Sequence, residues 1–100
     1  MGLGERIMSG IETLGRRANQ ALDEGRVRMD LLKTRRRRDL LARDLGYLVY
    51  RQSKGTPPLE GEIEALTKKM ADEDVEMARL EEELKRRQQL RSQAGSAPQP

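Results

Sequence analysis

The fold is decided by two stretches of equal length, VRMDLLKTRRRRDLLARDLGYL (27–48) and IEALTKKMADEDVEMARLEEEL (63–84). In each stretch, apolar residues recur at alternating steps of three and four, which is the spacing of a coiled-coil seam. This spacing predicts two amphipathic helices. The first seam is Val27, Leu31, Thr34, Arg38, Leu41, Leu45 and Leu48, and the second is Ile63, Leu66, Met70, Glu73, Met77, Leu80 and Leu84.

The two seams match when the chain folds back on itself between them. In an antiparallel pairing, the numbers of facing seam residues always add to 111, as for Leu48 with Ile63 and Leu31 with Leu80. The sequence therefore predicts an all-α fold, an antiparallel helical hairpin that forms a two-stranded coiled coil.

Charged residues interrupt both seams at matching places. Arg38 would face Glu73, and at one end of the seam Glu24 would face Arg87. A polar layer of opposite charges inside an apolar seam fixes the alignment of two helices at a cost in stability. We therefore predict that these four residues set the register of the hairpin.

The chain divides into three segments. Residues 1–25 are predicted to form an amphipathic N-terminal helix, residues 26–92 the hairpin with its turn at 53–57, and residues 93–100 a disordered tail. Gly55 suits the C-terminal cap of the first hairpin helix. Thr56 could cap the second helix, with Pro57 at its first position. The tail ends in AGSAPQP (94–100), which is small, polar and proline-containing.

The connection between residues 1–22 and the hairpin is open in the sequence. The apolar stripe of this first segment does not continue smoothly into the seam, and Gly25 lies between the two. A glycine inside a helix costs about 1 kcal/mol relative to alanine. The helix could bend or break there, or segment 1–22 could fold back, but we favour a continuous or weakly kinked helix.

The composition excludes several classes of protein. Charged residues make up 37% of the chain and hydrophobic residues 35%, which suits long exposed helices with a narrow seam. The absence of Cys and His excludes disulfides and thiolate or imidazole metal sites. No nucleophile has a candidate base, and the acidic residues lie on exposed helix without a pocket. We predict no catalytic, cofactor or metal site and no enzymatic activity.

The first hairpin helix has a second apolar stripe on its outward side. A helix with two apolar faces usually contacts two neighbours. This stripe predicts a non-enzymatic structural or adaptor protein that binds itself or another protein, as an oligomer or as a small subunit of a larger assembly. Segment 1–22 could instead cover the stripe. The predicted contact residues are Met29, Leu32, Arg36, Leu40, Arg43, Tyr47 and Tyr50.

Two other functions stay open. Leu3, Ile7, Ile11 and Leu14 could place the N-terminal helix on an anionic membrane surface. The run Arg35–Arg38 could bind nucleic acid, but four consecutive helical residues point to all sides, so a salt-bridged helix face is favoured over a basic stripe. No apolar run is long enough to span a membrane and no signal peptide is recognised, which predicts a cytoplasmic protein, with peripheral membrane attachment as the alternative.

The stretch LGYLVYRQSKG (45–55), between a basic first arm and an acidic second arm, resembles small uncharacterised bacterial coiled-coil proteins. Many of those proteins end in a Cys-rich zinc ribbon, which a chain without Cys lacks. In outline the chain is also similar to a shortened member of the phage-shock-protein-A membrane-remodelling group, which places an amphipathic helix before a long hairpin. Both resemblances imply a helical hairpin rather than an activity.

Overall fold

The computed structural model describes the backbone of residues 3–95, and the side chains in that range other than those of residues 3, 5, 94 and 95. The described chain consists of helix α1, Leu3–Ser53, and helix α2, Glu62–Gly95, with no strand between residues 3 and 95. The two helices pack against each other in an elongated molecule of 81 × 21 × 16 Å. The predicted all-α helical hairpin is confirmed.

The core of the hairpin is the predicted seam. Among the described residues, the buried apolar side chains are Val27, Leu48, Met77 and Leu80, and Leu80 is only 2% exposed. Every other predicted seam residue of either helix is buried or partly buried. A two-helix core is therefore one narrow stripe wide, as the composition indicates.

Thr34 is a buried polar residue within this seam. Its Oγ1 donates a hydrogen bond to the carbonyl oxygen of Asp30 at 2.8 Å and accepts one from Nη2 of Arg37 at 3.0 Å. Because both hydrogen bonds lie on α1, the hydroxyl is satisfied without a partner on α2. Thr34 can therefore occupy the seam without leaving a buried polar group unpaired.

Helix α1 ends at a glycine cap, as predicted. Gly55 has a φ of +96°, which a residue with a side chain rarely adopts. The amide of Thr56 donates to the carbonyl oxygen of Arg51 at 2.9 Å, and the amide of Gly55 donates to that of Gln52 at 3.1 Å. These two hydrogen bonds define a Schellman motif, which satisfies the last carbonyls of the helix and turns the chain.

The predicted start of the second helix at Thr56–Pro57 is wrong. Helix α2 begins at Glu62, so the turn spans residues 54–61 rather than 53–57. Pro58 follows Pro57, and the residue before a proline is pushed out of the helical region. Just ahead of the helix, the amide of Leu59 donates a hydrogen bond to Oε2 of Glu62 at 3.0 Å, in the manner of a capping box.

The N-terminal segment is part of α1. The helix continues through Gly25, as favoured from the sequence, so residues 3–25 form the first turns of α1. Every described side chain from residue 4 to residue 19 is exposed. Gln20 is the first described residue of α1 that is partly buried. Residues 3–19 are here called the N-terminal extension. In the register of the hairpin Gly95, the last residue of α2, faces residue 16, so the start of α1 reaches beyond α2 by about 20 Å at 1.5 Å per residue.

The helical part of the chain extends further toward the C-terminus than predicted. Helix α2 continues to Gly95, so residues 93–95 are helical and not disordered. Gln93 and Ala94 are compatible with a helix, and the Gly-Ser pair that breaks the pattern comes only at 95–96. The rest of the predicted tail, residues 96–100, lies outside the described residues.

Two neighbouring ion pairs replace the predicted pair of Arg38 with Glu73. Glu73 pairs with Arg37 instead, and Arg38 pairs with Asp74. Arg37 Nε lies 3.2 Å from Oε1 of Glu73, and Arg38 Nη1 lies 3.4 Å from Oδ1 of Asp74. An arginine at a seam position extends its long side chain out of the seam, because a guanidinium left between two helices would lose its water. The register is kept, while the ion pairs form along the rim of the seam.

The predicted pairing of Glu24 with Arg87 is also replaced by two others. Arg91 Nη1 lies 3.0 Å from Oε2 of Glu24, and Arg87 Nη1 lies 3.4 Å from Oδ2 of Asp23. Glu24 is 1% exposed and also lies near Arg28 at 3.6 Å. Arginines are long enough to reach a buried carboxylate from one turn further along α2, so Arg91 takes the place that the seam spacing gave to Arg87.

These distances predict which charges are coupled. Exchanging the charges in Arg37→Glu and Glu73→Arg should restore about 0.5 kcal/mol of the stability that each single exchange removes, a value typical of half-exposed ion pairs. Urea unfolding of the four members of this double-mutant cycle measures the coupling. The same cycle on Arg38 and Glu73 is the control, and a larger coupling there would contradict the observed pairing.

Candidate helix-contact surface

The predicted contact residues share one exposed face of α1, opposite the seam. Five of them are large and apolar or aromatic, and between 38% and 60% of each is exposed. Arg36 and Arg43 lie among them and are exposed as well. We call this set the outward face: Met29, Leu32, Arg36, Leu40, Arg43, Tyr47 and Tyr50.

The outward face has a shallow hole near its C-terminal end. It is lined by Arg43, Gly46, Tyr47 and Tyr50. These positions are spaced i, i+3, i+4 and i+7, which is the set of four residues that receives a side chain in knobs-into-holes packing. Gly46 forms the floor, since a Cβ built there would meet nothing within 4 Å. In knobs-into-holes packing, such a set of four residues would receive one side chain of a neighbouring helix.

Tyr50 is held at the edge of this hole by its neighbourhood. The Nζ of Lys54 lies 5.7 Å from the centre of the Tyr50 ring, a distance at which a cation and an aromatic face attract each other. The contact joins the last turn of α1 to the turn region. Tyr50 presents an exposed aromatic edge to any neighbour.

The N-terminal extension carries the residues of the predicted membrane alternative. Ile7, Ile11 and Leu14 are 54–66% exposed. The side chain of Leu3, the fourth residue of that set, lies outside the described part of the chain. Over the described residues 3–22, the segment does not fold back onto the outward face, because α1 is one continuous helix.

The apolar side chains of the extension line up with the outward face. From Ile7 to Tyr50 the positions follow steps of three and four that average about 3.6 residues, which keeps them on one side of a straight helix. The two sets are therefore one surface, the outer stripe: 7, 11, 14, 18, 22, 25, 29, 32, 36, 40, 43, 47 and 50.

Sequence reasoning missed this continuity because it compared the extension with the seam. The positions that continue the seam into the extension are polar, for example Thr13, Arg17 and Gln20. Leu22 and Gly25 connect the extension to the outward face, and Leu22 is 61% exposed. The outer stripe averages about 3.6 residues per step along α1, whereas the seam averages about 3.5 residues per step. This difference in spacing is the signal in the sequence that reveals the continuous stripe.

The arginine run is divided between two environments. Arg37 and Arg38 pair with acidic residues of α2, whereas Arg35 and Arg36 are exposed on α1. On the outward face, Arg43 Nε lies 4.0 Å from Oδ1 of Asp44. Carboxylates thus neutralise much of the positive charge that a phosphate backbone would need, which weighs against the nucleic-acid interpretation.

One ion pair of α2 shifts the pKa of both of its members. Arg79 donates hydrogen bonds of 3.0 and 2.6 Å to Glu76, which lower the pKa of Glu76 and raise that of Arg79. The side chains of Arg79 and Glu76 are 60% and 38% exposed and lie away from the outer stripe. Within the described residues, no group of three or more acidic side chains could hold a metal ion.

Neither α1 nor α2, over the residues described, contains a stretch that is both long and apolar enough to cross a bilayer.

Comparison with protein-family models, with curated proteins and with solved structures finds no match. The resemblance to bacterial coiled-coil proteins stays a prediction.

Proposed function

We propose that this protein is a non-enzymatic structural or adaptor element that acts through helix–helix contacts made by the outward face of α1. The observation that carries the proposal is the exposure of Leu40, Tyr47 and Tyr50, which are 50%, 56% and 60% exposed, on a helix whose opposite face is already packed. Aromatic and aliphatic side chains gathered in one patch are typical of protein contact sites.

The shape of the molecule supports the same proposal. An elongated molecule, 81 Å long, with an apolar face along one helix can align a second helix along much of its length. Arg36 and Arg43, which lie among the apolar residues of this face, would orient the neighbour and exclude wrong partners. Self-association is the simplest form of this function, with a larger assembly as the alternative.

The double variant Leu40→Glu and Tyr47→Glu tests the proposal. Two carboxylates on the outward face would have to lose water on contact, so association should weaken at least tenfold and the molar mass should fall to 11.4 kDa, the mass of one chain. Light scattering after size-exclusion chromatography measures the mass. Far-ultraviolet circular dichroism should show unchanged helicity, because both positions face solvent in the hairpin and glutamate favours helices.

A matched control places the same charges on the other helix. Val75 and Leu90 are 71% and 62% exposed on α2, so the double variant Val75→Glu and Leu90→Glu adds two carboxylates away from the outward face. The control should keep the molar mass of the unmodified chain. Equal behaviour of the two double variants would contradict the proposal.

Membrane-surface binding is the second candidate function. The exposure of Ile7, Ile11 and Leu14 on the free N-terminal extension favours it, because an interfacial helix needs an unoccupied apolar face. The extension has no Trp, Phe or Tyr, and its charges are of both signs. Co-sedimentation of the full chain with vesicles of anionic phospholipid distinguishes this function from helix–helix contact.

A further inference from the structure

We infer that the occupant of the outer stripe is the outer stripe of a second copy of this chain, with the two α1 helices antiparallel and centred on residue 27. This inference rests on the proposed function and adds the partner, the orientation and the register. It depends on three observations: the spacing of the stripe, the sizes of the facing residues and the hole near Tyr47.

The spacing of the outer stripe is the same when it is read in either direction. Pairing positions whose numbers add to 54 brings Ile7 opposite Tyr47, Leu14 opposite Leu40, and every other stripe position from 7 to 47 opposite another stripe position. A two-fold interface requires such a self-complementary surface, because each contact occurs twice. A parallel pairing would instead place Arg36 against Arg36 and Arg43 against Arg43.

Two of the facing pairs are also complementary in size. In this register Met29 faces Gly25, and Tyr50 faces Gly4. A Cβ built on either glycine would meet nothing within 4 Å, so neither glycine is required by packing inside the hairpin. Glycine within a helix is unfavourable, and room for a neighbouring side chain explains its presence here.

The hole lined by Arg43, Gly46, Tyr47 and Tyr50 fits the same register. Its centre lies between positions 46 and 47, and the residue that faces this centre in an antiparallel copy is Ile7. Ile7 is 54% exposed in the hairpin and has the aliphatic side chain that the hole accepts. One copy thus supplies the knob from its N-terminal extension, and the other supplies the hole.

The area of contact is sufficient for a stable dimer. The stripe from residue 4 to residue 50 is about 70 Å long, and a helix presents a strip about 10 Å wide. Two copies would bury on the order of 1,400 Å² in total, which lies within the range of about 1,200–2,000 Å² for specific interfaces. The N-terminal extension contributes about a third of this length, so the exposed first turns of α1 gain a stabilising contact.

Distances between spin labels test the orientation directly. The chain has no cysteine, so single variants at the exposed positions Ser9, Asn19 and Ala42 can each carry one nitroxide away from the stripe. An antiparallel pair centred on residue 27 gives separations along the axis of about 54, 24 and 45 Å, because each residue adds about 1.5 Å on both copies. Double electron–electron resonance measures these distances.

The outcomes separate this inference from the proposed function. A short and nearly constant distance at all three sites would indicate a parallel pair; it would overturn the register while leaving self-contact of the outward face intact. Distances that fit another centre would do the same. A labelled chain of 11.4 kDa that sediments with anionic vesicles would overturn the inference by placing the stripe on a membrane.

A second variant provides an independent check on the hole. Gly46→Leu removes a glycine from a helix interior and fills the hole, so the hairpin should unfold at a higher urea concentration while dimerisation weakens at least tenfold. Gly15→Ala is the control, because it also removes a helical glycine but lies off the stripe. Unchanged dimerisation of Gly46→Leu would contradict the placement of Ile7.

Discussion

Replacing Leu80 by alanine should lower the free energy of unfolding by about 2–3 kcal/mol. Leu80 is 2% exposed and faces Leu31 in the centre of the seam. Truncating a buried leucine removes its transfer free energy and leaves a cavity. The expected loss is near the lower end of the usual range, because a seam only one stripe wide lets neighbouring side chains move into the space.

Urea unfolding followed by circular dichroism at 222 nm measures this loss. The protein concentration must be the same for all variants, since self-association would add a concentration-dependent contribution to stability. Leu90→Ala is the control, because Leu90 lies on the same helix but is 62% exposed and should change stability by less than about 0.5 kcal/mol. Similar losses for the two variants would contradict the burial of Leu80 in the seam.

Removal of Arg91 should have the second-largest effect on stability. Arg91→Ala leaves the carboxylate of Glu24, which is 1% exposed, with only Arg28 nearby at 3.6 Å. The Oε1 of Glu24 already has no hydrogen-bond partner among the described residues. Breaking a buried ion pair can cost about 3–5 kcal/mol, but Arg91 is half-exposed, so we expect about 1–2 kcal/mol.

Repeating Arg91→Ala in a chain that already carries Glu24→Leu shows whether the buried charge of Glu24 causes the loss of stability. Glu24→Leu removes the buried charge and extends the apolar seam by one layer, so it should leave stability unchanged or raise it. In that background Arg91→Ala should cost less than about 0.5 kcal/mol. Arg87→Ala should show little coupling to Glu24, because Arg87 lies at Asp23. A strong coupling between Arg87 and Glu24 would contradict the observed ion pairs and support the pair of Glu24 with Arg87 that the sequence predicts.

The seam could be predicted from the sequence because burial in a two-helix hairpin depends on spacing alone. Steps of three and four place Val27, Leu48 and Leu80 on the facing sides of two helices, and the structure buries all three. The register followed from the matching of two spacings. Gly55 could also be predicted, because a positive φ is a backbone requirement that glycine meets best.

The ion pairs and the start of α2 could not be read from the same spacing. A guanidinium reaches across more than one turn, so the seam position of Arg38 does not decide whether its partner is Glu73 or Asp74. The start of α2 depended on Pro58, whose effect on Pro57 competes with the good N-terminal position of Pro57 itself. These two preferences oppose each other at Pro57, and α2 begins at Glu62 instead.

The contact surface was predicted in part. The residues from Met29 to Tyr50 were found because their spacing marks a second face of the same helix. Its continuation through Leu22 to Ile7 required knowing that α1 does not break at Gly25, and a glycine in the middle of a helix leaves that question open in the sequence. Function is less accessible, because a helix face defines the kind of contact but not the partner.

In the proposed dimer, the outer stripe of α1 joins two copies of this chain. The decisive measurement is light scattering of the unmodified protein over a concentration series, in low and in high salt. We expect the molar mass to rise to twice 11.4 kDa with concentration and to stay there in high salt, because apolar contacts are not screened by ions. A mass of 11.4 kDa at every concentration would contradict the claim.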